Sequence, residues 1–371
     1  MIDLPRLRQD MRTGRLNRRD FMRMLTAAGV AVTATSGTRP LRAAETPTVY
    51  LWSGYDDPAL YPSYVAKYGA APDFAIWGDE EEGLVKLLGG FKPDVVMPCA
   101  YKVEKWYQSG VLGEIDTAKI GEWGDVFESL KNISAGMQGG KRVWVPMDWG
   151  QTSIIYRTDL CPEYVGNETW KILWDPKYKG RVAIFDSLTD GAVVAGIVAG
   201  LKDPFDYTSD EDLAKAREKL VELKSQLRYF VPDPASLEQG LATGEIVAVT
   251  GWNESITRLR KQGLPVKFME PKEGTMTWVC GLSIVRGTPL LEQAHEIIDA
   301  MLDPESRAYE MRNFGYGSAT KSPYTILSPE ELADLGLSPD PDSVLNASLL
   351  QRPIKGEERL QKTFEEVKAI N

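Results

Sequence analysis

Along this chain short apolar runs end at polar, aromatic corners, and between them the apolar positions shift to spacings of three and four. Val49 to Trp52 is a β-favouring run, and Asp57-Pro58 after it reads as a helix cap followed by a first-turn proline. Phe74 to Trp77 predicts a strand, Gly78 to Glu82 an acidic turn, Leu84, Val85, Leu87 and Leu88 a helix, and Val95 to Met97 a further strand. That βαβ rhythm implies parallel pairing. A helix follows through Val103 and Trp106 to Gly110. Arg142 to Arg157 predicts two extended runs, interrupted at Asp148-Trp149-Gly150. Downstream, Arg181 to Phe185 and Ile246 to Thr250 are expected as strands, with Asp186 to Gly191 capping a small-residue helix. The helix from Asp212 places Leu213, Ala216, Leu220, Leu223 and Leu227 on one face. Pro265 to Met269 and Trp278 to Val285 read as extended, Leu290 to Leu302 as an amphipathic helix, and Asp303-Pro304 as the start of another. Asn313 to Tyr324 is glycine-rich and is expected as loop, ahead of a segment with SPEEL at 328–332 and an acidic C-terminal helix.

In open α/β sheets ligands collect outside the carboxyl ends of strands, so the corners are where a pocket is expected. The first offers Trp52, Ser53 and Tyr55, the second Cys99 and Tyr101, and a later one Trp252 and Glu254. Aromatic faces attract a desolvated cation by roughly 0.5 to 2 kcal/mol each, and carboxylates fix its charged ends. Such a set of corners suits a flexible organic cation. Trp77, Trp106, Trp170 and Trp174 are expected in the core instead.

With 371 residues, 43% of them hydrophobic, the chain is expected to form about two domains. The net charge of −10 hides an asymmetry: residues 1–44 hold nine arginines and three aspartates, leaving 34 basic and 50 acidic residues after them. That acidic remainder disfavours nucleic acid and anionic membranes as partners. Arg18-Arg19, Phe21 and the weak apolar run Met24 to Ala34 resemble a twin-arginine export signal, with cleavage expected near Ala43-Ala44. Residues 1–44 are therefore read as a signal peptide of a periplasmic protein. Asn17 and Met22 depart from the signal pattern, which has Ser or Thr before the pair and Leu after Phe.

Three cysteines, Cys99, Cys161 and Cys280, leave at least one thiol unpaired within the chain, and disulfides are not expected to be the main staple. His295 is the single histidine, so metal sites needing two imidazoles lack parts, and no G-x-S-x-G, P-loop or H-E-x-x-H occurs. No metal or cofactor is expected.

The block W-(x)3-W-D-P-K-Y-K-G at Trp170 to Gly180, VYLWSGY at Val49 to Tyr55 and PxxWGxTxxxY at Pro146 to Tyr156 resemble the bacterial extracellular solute-binding proteins of the spermidine and putrescine type, the capture subunits of ABC importers. The resemblance is collinear over residues 47–325. It implies an α/β fold of the two-lobe periplasmic binding protein type (type II), with strands crossing between lobes that close on the ligand. The lobes would be residues 45–148 plus 280–325 and residues 149–279 plus 326–371. It implies a non-enzymatic, monomeric protein whose partners are a small organic cation and a membrane permease. The ligand box it implies comprises Trp52, Ser53, Tyr55, Cys99, Tyr101, Ser187, Asp190, Trp252, Trp278 and Cys280. Asp190 fits equally an acid at a helix N-terminus. Ser187 and Cys280 stand where the family has aspartates, and Asp148 and Glu254 are acids outside its pattern that would compensate. With those partners changed, a ligand with fewer amines, or a quaternary or zwitterionic one, is expected. The alternative is a cysteine-dependent, thiaminase-like enzyme on the same fold, with Cys99 or Cys280 as nucleophile and Glu254 as base.

Overall fold

The computed structural model describes residues 46–78 and 80–370, without the side chain of Asp334. The arginine pair and the expected cleavage region lie outside the described residues.

One sheet organises the described chain. Its strands are β1 (Thr48–Trp52), β2 (Asp73–Trp77), β3 (Val95–Val96), β4 (Val145–Arg157), β5 (Val182–Phe185), β6 (Leu227–Val231), β7 (Ala248–Trp252), β8 (Val266–Phe268), β9 (Met276–Ile284), β10 (Gly317–Ser318) and β11 (Leu349–Leu350). Their order is β2-β1-β3-β9-β4-β7-β5-β6, with β8 and β10 also on β4 and β11 on β9. The expected parallel pairing appears twice. At one end β1 lies parallel to β2 and β3, and at the other β5 lies parallel to β6 and β7. Strands buried on both faces read as unbroken apolar runs, and β5, VAIF, is buried throughout.

The two parallel sets meet through β4 and β9, which pair antiparallel from Leu282 opposite Val145 to Met276 opposite Thr152. On one side, Leu51, Trp77, Val96, Trp106 and Ile298 form a core with α1 (Glu80–Leu88), α2 (Ala100–Gln108) and α5 (Leu291–Leu302). On the other, Trp170, Ile184 and Val247 form a second core, and Ile155, Phe185 and Val249 a third. Helix α3 (Asp210–Gln226) buries Leu220 against Leu360 and Phe364 of α7 (Glu357–Lys368). Trp77, Trp106 and Trp170 are core residues as expected, while Trp174 is only half-buried and donates its indole N–H to the Lys219 carbonyl.

Helix α4 (Asn253–Lys261) starts directly after β7, and α6 (Pro304–Phe314) starts as Asp303-Pro304 predicts, with the Asp303 carboxylate accepting the Glu305 N–H.

Three expectations need correction. The extended region 142–157 is not interrupted at Asp148-Trp149-Gly150: β4 runs through it, and its pairing with β9 shifts just before, where Cys280 and Gly281 face Asp148 and Pro146 and leave Met147 of β4 unmatched. Backbone register is kept because the Asp148 carboxylate finds a donor in Tyr55 and Gly150 leaves room for the Trp278 ring. The segment 313–324 is not simply loop, since α6 reaches Phe314 and β10 pairs Gly317 and Ser318 with Trp149 and Asp148. The acidic turn is mostly helix, with Glu80, Glu81 and Glu82 forming the first turn of α1, where acids favour the dipole.

Cys99 and Cys280 form a disulfide, and Cys161 is a buried free thiol. The bond joins the residue that precedes α2 to β9 across a sequence separation of 181. Restricting so long a segment in the unfolded chain stabilises a fold by about 2–4 kcal/mol. The denaturation midpoint should therefore fall on adding a reductant, and Cys99→Ser with Cys280→Ser should reproduce the fall. A midpoint indifferent to both would show that the bond carries no stability.

Candidate functional site

Residues opposite one another in a sheet point to the same face, as do residues two apart on one strand. On β4, Asp148, Gly150 and Thr152 therefore share a face. Their registered partners are Cys280 for Asp148, Trp278 for Gly150 and Trp252 for Thr152. Two tryptophans from different strands thus flank one strand on one side, with an aspartate and the disulfide in the same row. Gly150 is required there: a Cβ on it would lie 2.3 Å from the Trp278 ring, which lies across the strand. The Trp252 indole donates to the Thr152 hydroxyl at 3.1 Å, and its ring leans on Phe185 at 4.4 Å.

An aromatic row continues from this face. Trp278 meets Tyr316 edge-on at 4.8 Å, Tyr316 meets Phe314 at 5.9 Å, and Phe314 meets Tyr55 at 5.5 Å. Tyr55 brings in the first corner, where β1 ends and Gly54 takes a φ of +98° to turn the chain. Trp52 stands half-buried at the end of β1 against Trp77, whereas Ser53 is exposed in the turn. The second corner is tied to β4 by the Trp144 indole, which donates to the Pro98 carbonyl at 2.9 Å, and to β9 by the disulfide. Tyr101 is half-buried in the first turn of α2.

The acids divide into three settings. Glu254, in the first turn of α4, is ion-paired with Arg258 and accepts the Tyr316 hydroxyl at 3.4 Å. Asp190 is buried; the Ser187 hydroxyl donates to its carboxylate and accepts its N–H at 3.0 Å, and Thr250 also holds it. Burial raises the Asp190 pKa against the pull of those hydroxyls. Asp148 is fully buried, accepts the Tyr55 hydroxyl, and has one oxygen, Oδ1, without a partner. Burial pushes its pKa up to about 6, opposed by the Tyr55 bond and by the charge of Arg307.

Seven of the twelve expected residues, Tyr55, Cys99, Asp148, Trp252, Glu254, Trp278 and Cys280, are thereby connected to β4 or to the aromatic row, and Ser187 and Asp190 join Thr250 of the adjoining β7. Trp52, Ser53 and Tyr101 sit at the two corners. The disulfide changes the chemistry expected of Cys99 and Cys280, because sulfurs bonded to each other offer neither a thiolate nucleophile nor a charge for a cation. His295 is engaged by backbone at both nitrogens, accepting the Asp116 N–H at 3.0 Å and lying 2.8 Å from the Leu291 carbonyl. Among the described residues no group of three or more His, Cys, Asp or Glu is placed to hold a metal ion, and no helix is long and apolar enough to cross a membrane.

Phe314, Tyr316, Arg307 and Glu310 were not expected at this place. Phe314-Gly315-Tyr316 has the aromatic-corner pattern of the other stretches, and that signal lay inside the segment expected as loop. A cavity of about 380 Å³ is lined by Trp149, Gln151, Thr275 and Ser348, among others. Trp149 and Gln151 alternate with Asp148 and Thr152 on β4, and Gly150 between them also lines this cavity.

Comparison with known proteins places the arrangement. Residues 88–335 match the family model described as bacterial extracellular solute-binding protein. The chain is 26% identical over 303 residues to the spermidine/putrescine-binding periplasmic protein of Escherichia coli K12, covering 80% of this chain and 84% of that one. It is 24% identical over 315 residues to the putrescine/agmatine-binding protein of Pseudomonas aeruginosa, covering 77% and 85%. Among solved structures, the spermidine/putrescine ABC transporter substrate-binding protein of Streptococcus pneumoniae superposes with a TM-score of 0.72 at 19% identity, covering 88% and 99%. The binding protein MotA of Agrobacterium tumefaciens B6, in complex with glucopine, gives a TM-score of 0.72 at 16% identity, covering 87% and 99%. The fold is that of the type II periplasmic binding proteins.

The setting of Asp148 makes stability depend on pH. Its carboxyl holds a proton more tightly in the folded chain than in the unfolded one, so the associated stability is full below the ordinary carboxylate range and is lost as pH rises to about 6. Asp148→Asn has no such charge to bury. The Tm of the wild type, measured against that variant, should fall as pH rises from about 4 to about 6 and stay level above. Parallel Tm profiles for the two proteins would refute this.

Proposed function

The chain belongs to the bacterial extracellular solute-binding proteins, and from that premise we propose that it is the periplasmic capture subunit of an ABC importer, taking up a polyamine or related small organic cation. The observation that carries this reading is the single face of β4 on which Trp252 and Trp278 stand with Asp148, extended by Tyr316 and Glu254. Cations lose hydration in a cleft and recover it from aromatic faces and carboxylates. The names of the curated relatives, which bind spermidine, putrescine or agmatine, support the same ligand class.

In this reading residues 45–148 plus 280–325 and residues 149–279 plus 326–371 act as two lobes that close on the ligand, and β4 and β9 are the crossing strands. The closed protein then docks on a membrane permease. The ligand box is Trp52, Ser53, Tyr55, Tyr101, Asp190, Trp252, Glu254 and Trp278, with Ser187 and the Cys99–Cys280 bond as wall. Ser187 supports Asp190 rather than adding a charge, and the disulfide adds none, so few carboxylates remain for ammonium ends. A diamine is favoured over a triamine on that count, because an unpaired buried ammonium costs several kcal/mol.

Titration with putrescine and spermidine followed by tryptophan fluorescence tests the reading. Putrescine should bind the tighter, and Trp252→Ala should weaken it by about tenfold, the worth of one cation–π contact. Binding of a sugar or an anion with no response to any cation would overturn it. Export is tested separately: the mature protein should lack residues up to about Ala44, and Arg18→Lys with Arg19→Lys should stop its export. Secreted protein retaining Met1 would contradict the assignment of the segment as a signal.

A further inference from the structure

Behind the aromatic row lies a set of buried charges that neither sheet packing nor cation contact explains. The Tyr55 hydroxyl is bonded to Asp148 and lies 3.2 Å from Glu310 Oε1. A phenol has one hydrogen, so it can satisfy only one of two carboxylates. The nearest cation, Arg307, is ion-paired with Glu310 on the same helix and has its remaining bond to the Ser306 hydroxyl at 3.2 Å. Its Nε has no partner, and neither does Asp148 Oδ1. Asp148 and Arg307 are fully buried, and Glu310 nearly so.

The other groups facing this set do not supply the missing positive charge. On the neighbouring strand Cys280 is uncharged in its disulfide, and on β10 the registered partner is Ser318. Tyr316 faces Asp148 from the segment after α6; burial and the carboxylates of Glu254 and Asp148 hold its phenol protonated. Arg258 is shared by Glu254 and Glu238, so it has no positive charge to spare for Asp148. Tyr61, an uncharged phenol that donates to the Tyr55 carbonyl, and Asp303 also face Arg307, and neither supplies a positive charge. Counting the buried carboxylates of Asp148 and Glu310 against Arg307, the group is one negative charge in excess. Two states balance it: a proton on Asp148, which then donates to the Tyr55 oxygen while the Tyr55 hydroxyl serves Glu310, or a cation brought from outside.

We propose that Asp148 is protonated in the ligand-free protein and that capture of a cationic ligand releases this proton to solvent, leaving the carboxylate to balance the ligand's charge through Tyr55 and Tyr316. The balance is simple: the Asp148 O–H bond breaks, the proton goes to bulk water, and the ligand's ammonium keeps its own protons throughout. Asp148 is in this sense a positioning residue, acting on the ligand through the two phenols. The inference rests on the capture of a cation proposed above.

Calorimetry of the whole protein with putrescine, in buffers of different ionisation enthalpy, counts the protons exchanged. About one proton should be released per ligand bound below pH 6, with affinity rising close to tenfold per pH unit, and both effects should fade by about pH 8. Asp148→Asn should abolish the release and flatten the pH profile. A protonated-carboxyl infrared band, present in the ligand-free wild type and lost on adding putrescine, gives the same answer if the variant does not fold. Binding with identical heat in every buffer, or undiminished release from Asp148→Asn, would overturn the inference while leaving the capture reading intact. No binding of any cation by the wild type would overturn the capture reading and this inference with it.

Discussion

The antiparallel pairing of β4 with β9 is the constraint on which the rest of the structure depends. Seven registered residue pairs hold two long strands together, and β9 pairs with one parallel set through β3 while β4 pairs with the other through β7. Because side chains alternate along a strand, this one pairing decides which residues from distant parts of the sequence share a face. A slip of β9 by one residue would turn Trp278 and Cys280 away from Asp148 and Trp252 and present Thr277 and Val279 in their place. The register is secured by shape as much as by hydrogen bonds. Gly150 admits the Trp278 ring, Gly317 admits the Trp149 ring on the other face, and Gly281 approaches the Val145 carbonyl where a Cβ would lie only 2.1 Å away. Two of these glycines thus fix two tryptophans in place, and the third lets the two strands approach each other.

The same strand carries the main electrostatic problem of the fold. An aspartate at the centre of a buried strand loses its hydration, and hydrophobic residues in its place would pack without that penalty. Asp148 is retained beside a second buried acid and a buried arginine, in a region otherwise made of tyrosine, phenylalanine and aliphatic side chains. Tyr55 is the link that makes this group part of the site, since its ring belongs to the aromatic row and its hydroxyl to the charges.

Much of the fold was legible because its strands are strongly apolar and its helices carry caps. Val49 to Trp52, Phe74 to Trp77 and Leu290 to Leu302 all lie within a residue of where the pattern places them. The misplaced stretches share a cause, which is that tertiary partners override local signals. Asp148-Gly150 looks like a break until Tyr55 and Trp278 supply what those residues lack. Phe314 to Tyr316 looks like loop because glycine punctuates it, although the glycine serves only to end α6, with a φ of +68°. Arg307 and Glu310 were illegible as a buried pair, because a charged pair three residues apart on a helix reads as a solvated surface contact. The joining of Cys99 to Cys280 was likewise hidden by distance in sequence, and only the meeting of the second corner with β9 brings them together.

That bond also alters the chain as a covalent object. Everything from Ala100 to Val279, which includes β4 through β8 and the first four residues of β9, is enclosed in one ring, while the first corner, α5, α6 and α7 hang outside it. A protease that cuts any exposed loop inside the ring opens it without parting the molecule. The two fragments stay joined, migrate together until reduced, and keep β4 and β9 within reach of each other. Nicking between residues 100 and 279 is therefore a local injury, whereas a cut on either side of that span sheds a piece of the chain.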